Sequence, residues 1–97
     1  MSIELSKETW VWLIVQNPEK EASFLGQHDT TNDIRFVPTF LDKDSALMCM
    51  NQLTKDESND YEPQAIFYDE LLRYIDAHNY IIYVLDKKGG ILDKIAS

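Results

Sequence analysis

Apolar residues along this chain come in short β-branched and aromatic runs, with two stretches at helical spacing between them. Thr9 to Gln16 reads Thr-Trp-Val-Trp-Leu-Ile-Val-Gln and favours a strand, which Asn17-Pro18 stops. Ser23 to Gln27 predicts a second strand. After the polar loop His28-Asp29-Thr30-Thr31-Asn32-Asp33, Ile34 to Leu41 predicts a third, and the three are expected to form a meander. Asp42 then suits a helix N-cap, Asp44 places negative charge in the first turn, and Ala46, Cys49, Met50 and Leu53 recur on one helical face. Leu47 flanks that stripe and Met48 points nearly opposite, toward solvent.

Thr54 to Asp60 is polar and acidic and reads as a loop before a strand around Gln64 to Phe67, which Pro63 limits to an edge or to a start after the proline. A second helix is predicted over Asp69 to His78, with Leu71, Leu72, Ile75 and Tyr74 inward and Asp69 and Arg73 one turn apart outside. Asn79 suits the left-handed residue that ends such a helix. Tyr80 to Leu85 is another apolar strand, Lys87-Lys88-Gly89-Gly90 a turn, and Ile91 to Ile95 a short last strand. The order β-β-β-α-β-α-β-β predicts an α+β fold, a mixed five- or six-stranded sheet with two helices on one face.

The runs Thr9 to Gln16 and Tyr80 to Leu85 are apolar on both of their alternating faces, so both are expected as central strands. Two helices of about three turns, each about 10 Å wide, cover one face of such a sheet. The other face is then either sheltered by a curled sheet and its loops, with Trp and Tyr partly exposed, or left as an aromatic surface with Trp10, Trp12, Phe36 and Tyr83 as its anchors for a protein partner or a second copy of the chain.

Composition narrows the class. The chain has 97 residues, 44% hydrophobic and 27% charged, enough apolar matter for the core of a single domain spanning residues 1–97. Its net charge of −8 repels nucleic-acid backbones and anionic membrane surfaces, so neither is expected as a partner. The sole cysteine, Cys49, rules out an internal disulfide and a thiolate-rich zinc site, and points to a reducing, cytoplasmic setting. The longest apolar run, Val11 to Val15, is too short to span a bilayer.

Phe36-Val37-Pro38-Thr39-Phe40-Leu41-Asp42-Lys43-Asp44-Ser45-Ala46-Leu47, a strand with a central proline running into an acid-capped helix, resembles the amino-terminal domain of the SseB-type proteins. The order of elements, with a late helix and apolar strand over Asp69 to Leu85, also resembles a family of short uncharacterised proteins from photosynthetic organisms. Either resemblance implies a small α+β interaction or accessory domain and carries no residue roles.

Candidate chemistry is sparse. Asp56, Ser58, Asp60 and Glu62 alternate like calcium-loop ligands, but Tyr61 and Phe67 stand where glycine and glutamate are needed, and the stretch reads as a solvated loop. His28-Asp29 and Asp76-Ala77-His78 pair imidazole with carboxylate without a third partner, and His78 also suits a helix C-terminus electrostatically. Cys49 falls on the core face of its helix with no basic neighbour in sequence, and Gly89-Gly90 lacks the strand-to-helix setting of a phosphate loop. No catalytic residue, metal or cofactor is assigned. The pattern favours a noncatalytic interaction or regulatory domain. Two alternatives are a small-molecule-binding or enzymatic domain using a cleft of Tyr61, Tyr68 and His78, and an acidic inhibitor or immunity-type protein for a basic partner.

Overall fold

The computed structural model describes residues 5–20, 22–50 and 60–96. Its elements run β1 (Trp10–Gln16), β2 (Ser23–Phe24), β3 (Gln27–Asp29), β4 (Ile34–Phe40), α1 (Lys43–Met50), β5 (Tyr61–Phe67), α2 (Tyr68–His78), β6 (Ile81–Leu85) and β7 (Ile91–Ile95). They form one mixed seven-stranded sheet with two helices, the α+β class that the pattern predicts. The extra strand arises because Ser23 to Asp29 is divided in two. Predicted Leu53, and all of the expected acidic loop except Asp60, lie outside the described residues.

β1 and β6 are interior strands, as their two-sided apolar character requires. β1 pairs antiparallel with β5 along its whole length and, on its other side, with β2 and β4 at opposite ends. β6 lies between β4, its parallel neighbour, and antiparallel β7. The expected meander therefore exists at one end of the sheet only. There β2 and β3 wedge between β1 and β4, whereas at the other end Trp12 and Leu13 meet Phe40 and Thr39 directly.

Hydrogen-bond alternation explains how the sheet accepts two prolines. At the two ends of the β1–β5 ladder, Asn17 N–H donates to Asp60 O (2.7 Å) and Tyr68 N–H to Thr9 O (2.9 Å). The register between them, Trp10 opposite Phe67 through Gln16 opposite Tyr61, then turns the backbone groups of Glu62, Gln64 and Ile66 toward β1 and those of Tyr61, Pro63 and Ala65 outward. Pro63 thus sits inside an edge strand at a position where no ladder bond is lost, and the strand begins earlier than the proline suggested.

The same alternation aims even-numbered residues of β1 at β4, as the bond from Leu25 N–H to Ile14 O (2.8 Å) shows. The Pro38 nitrogen consequently faces the β1/β3 side of β4. On that side β3 pairs up to Phe36 and β1 begins at Thr39, so the proline falls in the gap between two ladders. Across that gap lies Leu25-Gly26, where the broken strand changes its bonding partner from β1 to β4. A Cβ at Gly26 would lie 2.8 Å from Tyr80 Oη, so the ring of Tyr80 packs directly on the break.

The two helices lie on opposite faces, which corrects the expectation of a shared face. Val11, Leu13 and Val15 of β1 join Val37, Ile82 and Val84 beneath Tyr68, Leu71 and Ile75 of α2. Ile14 joins Phe40, Tyr83 and Leu85 beneath Ala46 and Cys49 of α1, with Trp12, Phe36 and Tyr61 half-buried beside them. Strands that are apolar on both sides demand cover on both sides, and one helix per face supplies it.

Local signals set the helix ends. Asp42 caps α1, accepting from Ser45 N–H at 2.7 Å, and that bond holds its carboxyl below the usual carboxylate range. α2 follows β5 without a loop and has no side-chain cap. Its first amide groups are satisfied instead by backbone, Tyr68 N–H on Thr9 O and Asp69 N–H on Lys7 O (3.1 Å). At its other end Asn79 adopts the left-handed conformation (φ 59°) and Tyr80 N–H returns to Ile75 O, as the sequence predicts. Arg73 and Asp69 pair across one turn on the outer surface. No described helix is long and apolar enough to cross a membrane.

Candidate functional site

The α1 face is incompletely covered, and the sequence-predicted anchors all lie on it. α1 is eight residues long and its buried residues are Ala46 and Cys49, so the rest of that face is closed by the aromatic side chains themselves. Phe36 and Tyr83, neighbours across the parallel β4–β6 pair, stack with ring centroids 4.0 Å apart and planes 15° from parallel. Trp12 stands half-buried on the same face with Lys43 Nζ above its ring. Trp10 lies farther along β1 and contacts Phe67, its cross-strand partner on β5, with centroids 4.1 Å apart. The four anchors therefore divide into an inner pair, an intermediate Trp12 and an outer ring contact. Their exposures separate sharply: Tyr83 is 1% exposed, while Trp10 is 55% and Phe67 37% exposed.

Beside the inner pair is a pocket of about 490 Å³, lined by His28, Asp29 and Thr30 of the β3–β4 hairpin, Cys49 of α1, and Lys88, Gly89 and Ile91 of the β6–β7 connection, with Phe36, Tyr83 and Leu85 also in its wall. Its hairpin rim is tied down by Asp29. That carboxylate accepts from Thr31 N–H (3.1 Å), Asn32 N–H (3.3 Å), Asn32 Nδ2 (2.9 Å) and Tyr83 Oη (2.9 Å). The Asn32 side chain, followed by the Tyr83 hydroxyl, holds the Asp29 carboxyl below its ordinary range. Burial, together with that carboxylate, pushes the Tyr83 hydroxyl above its own. The pair is thus a neutral phenol donating to an ionised carboxylate at neutral pH.

The second rim is organised by Asp86, whose Oδ1 accepts from Lys88 N–H (2.9 Å) and Gly90 N–H (2.8 Å). Gly89 occupies positive φ (83°), which makes Gly89-Gly90 the hairpin turn expected of it. Cys49 is buried and its thiol is pushed upward by desolvation and then by the Asp86 charge. It is held as a thiol at neutral pH, the opposite of an activated nucleophile.

His28 donates from Nε2 to Asp33 Oδ1 (2.9 Å), since an ionised carboxylate accepts only. His78 packs edge-on against Tyr74 at the end of α2, with centroids 4.2 Å apart. The two imidazoles are thus bound to separate neighbours. Among the described residues no three histidine, cysteine, aspartate or glutamate side chains are grouped to hold a metal ion.

The cleft expected from Tyr61, Tyr68 and His78 is not formed. Tyr61 packs in the α1-side cluster and Tyr68 in the α2-side cluster, so the sheet itself separates them. Asp86 escaped the sequence reading, and Asp29 entered it only as a partner for His28, which bonds Asp33 instead. Their signal was local: Asp29-Thr30-Thr31-Asn32 and Asp86-Lys87-Lys88-Gly89-Gly90 both place a carboxylate just before turn residues whose amides it accepts. Comparison with protein-family models, curated proteins and solved structures finds no match to this chain.

Proposed function

We propose that this chain is a noncatalytic protein-interaction domain that contacts a second copy of itself through the α1 side of its sheet. The observation that carries this reading is the exposed Trp10–Phe67 ring pair, two large aromatic side chains in tilted contact across the β1–β5 ladder, with Phe67 on the edge strand. Aromatic residues at such positions are the side chains that dominate binding once a partner desolvates them. Leu47 and Met48 on the outer surface of α1, and Leu41 where β4 leads into it, are also exposed and widen the apolar area.

The rim favours a second copy over a uniformly charged partner. A groove beside Phe67 is bordered by Lys7, Glu8, Asp69, Glu70 and Arg73, so both signs of charge lie next to that ring. A two-fold mate presents the same mixed rim and can oppose unlike charges. The resemblance of Phe36 to Leu47 to the SseB-type amino-terminal domain agrees with an accessory or interaction role. A buried, unpaired Cys49 thiol suits a reducing, cytoplasmic setting.

Sedimentation velocity over a range of protein concentrations tests the reading. A concentration-dependent dimer that Trp10→Glu converts to monomer is the expected outcome. Persistence of a monomer at every concentration, or a dimer indifferent to Trp10→Glu, overturns it.

A further inference from the structure

The groove beside Phe67 is set apart from other surface hollows by what stands next to it. It opens where β5 passes directly into α2, has a volume of about 520 Å³ and is lined by Phe67 with Lys7, Glu8, Asp69, Glu70 and Arg73. Trp10 is not in its wall, yet Trp10 touches Phe67. The surface therefore runs in the order projecting indole, shared ring, recess. A two-fold rotation about Phe67 reverses that order, so each indole faces the recess of the other copy and the two Phe67 rings face each other between them. The charges fit the same operation. Asp69 and Arg73 pair with one another, which leaves Lys7, Glu8 and Glu70 as charges of both signs that a second copy can oppose.

We propose that the dimer is built by reciprocal insertion, the Trp10 indole of each copy seated in the groove beside Phe67 of the other. The inference rests on the dimer reading above and adds to it the receptor for each ring. The groove has the chemistry an indole needs. Phe67 and the aliphatic stems of Lys7 and Arg73 meet its apolar body, the carboxylates of Glu8 and Glu70 accept its single N–H, and the same two cations favour its face. Trp10, 55% exposed, keeps enough free surface to be gripped by a second copy while it still rests on its own Phe67. The contact thereby extends from the α1 side around the end of β5.

Two variants of the full chain test it by complementation. Trp10→Ala removes the inserted ring and keeps the groove, whereas Glu70→Tyr fills the groove and keeps the ring; both positions are exposed, so the core is untouched. Alone, each variant loses both seatings and is expected to dimerise at least about tenfold more weakly than the parent in sedimentation velocity. Mixed in equal amounts, with one variant dye-labelled at its amino terminus, they are expected to form a heterodimer at least about tenfold tighter than either variant with itself, because an intact ring then meets an intact groove. A mixture that associates no better than its components, as it would if the two Trp10 rings packed on each other, overturns reciprocal insertion and leaves the dimer standing. So does a dimer indifferent to Glu70→Tyr. A parent that is monomeric at every concentration overturns both.

Discussion

The two faces of this sheet are built from the same strands yet finished differently. Beneath α2 the buried side chains are aliphatic apart from Tyr68: Val11, Leu13, Val37, Leu71, Ile75, Ile82 and Val84 are all 0% exposed. An eleven-residue helix with its apolar residues at helical spacing seals them. Beneath α1 the helix is three residues shorter, and aromatic rings complete the cover. One face is closed by its helix with the half-buried rings of Phe24, Tyr74 and Tyr80 at its margin, whereas the other combines core, pocket and exposed rings. A sheet with apolar residues on both sides leaves apolar surface exposed where its helix is too short, and here the exposed Trp10 and Phe67 rings lie on the α1 side.

The sharpest test of this contrast compares helix residues from the two sides. Leu71→Ala and Ile75→Ala each empty a fully buried site on α2 and should each cost about 2–5 kcal/mol of stability. Leu47→Ala and Met48→Ala on the outer surface of α1 should stay within about 0.5 kcal/mol. Urea midpoints at constant denaturant slope read both sets. A loss at Met48 as large as that at Leu71 would mean that α1 packs as deeply as α2 and would erase the distinction.

Much of this asymmetry was legible in the chain, and the part that was not has a definite cause. Periodicity located both helices and the two strands apolar on both faces, and Asp42 and Asn79 marked helix ends through capping geometry that is local in sequence. The face each helix takes is not local. It depends on which residues of β1 and β6 point up, and a strand reading Trp-Val-Trp-Leu-Ile-Val is apolar in both registers, so its pattern cannot choose a side. The break at Leu25-Gly26 was hidden for a related reason, since it exists to let one segment serve both β1 and β4. Of the proposed anchors, residue type identified Trp10 and Tyr83 equally, and only tertiary packing separates an exposed ring from a buried one. The pocket was illegible because its walls come from four separated segments and its carboxylates act within their own turns.

The hydrogen bond from Tyr83 to Asp29 ties the α1-side core to its rim, and acid titration isolates it. The Asp29 carboxyl is lowered in the folded state, so its contribution to stability is present above its ordinary value of 3.8 and is lost as the pH falls through the lowered value. Tyr83→Phe removes one cause of that lowering while Asn32 and Thr31 still donate. The acid limb of stability against pH should become shallower, with a smaller loss at neutral pH than either α2 substitution produces. The alkaline limb should become shallower as well. Tyr83 is raised above its ordinary value of 10.0, so it contributes stability below that pH and loses it as the pH climbs through the raised value, a loss the phenylalanine variant lacks. Unchanged limbs on both sides would remove this bond from any account of how the rim is held.

The smallest expected effect distinguishes contact over a face from contact through an edge. Pro63 presents no N–H on the outer side of β5, a device that blunts an exposed strand against pairing with another chain. Because its nitrogen points away from β1, Pro63→Ala leaves the β1–β5 ladder whole. It should cost no more than about 1 kcal/mol, chiefly through the added freedom of the unfolded chain. Association through Trp10 and Phe67 uses side chains standing off the sheet and is indifferent to a restored edge amide, so the dimer constant should stay within about twofold of the parent's, a free-energy change of about 0.4 kcal/mol. Marked strengthening in sedimentation would show that β5 joins a neighbour edge to edge. The contact would then belong to the backbone of the outer strand, and the two faces would differ in packing alone.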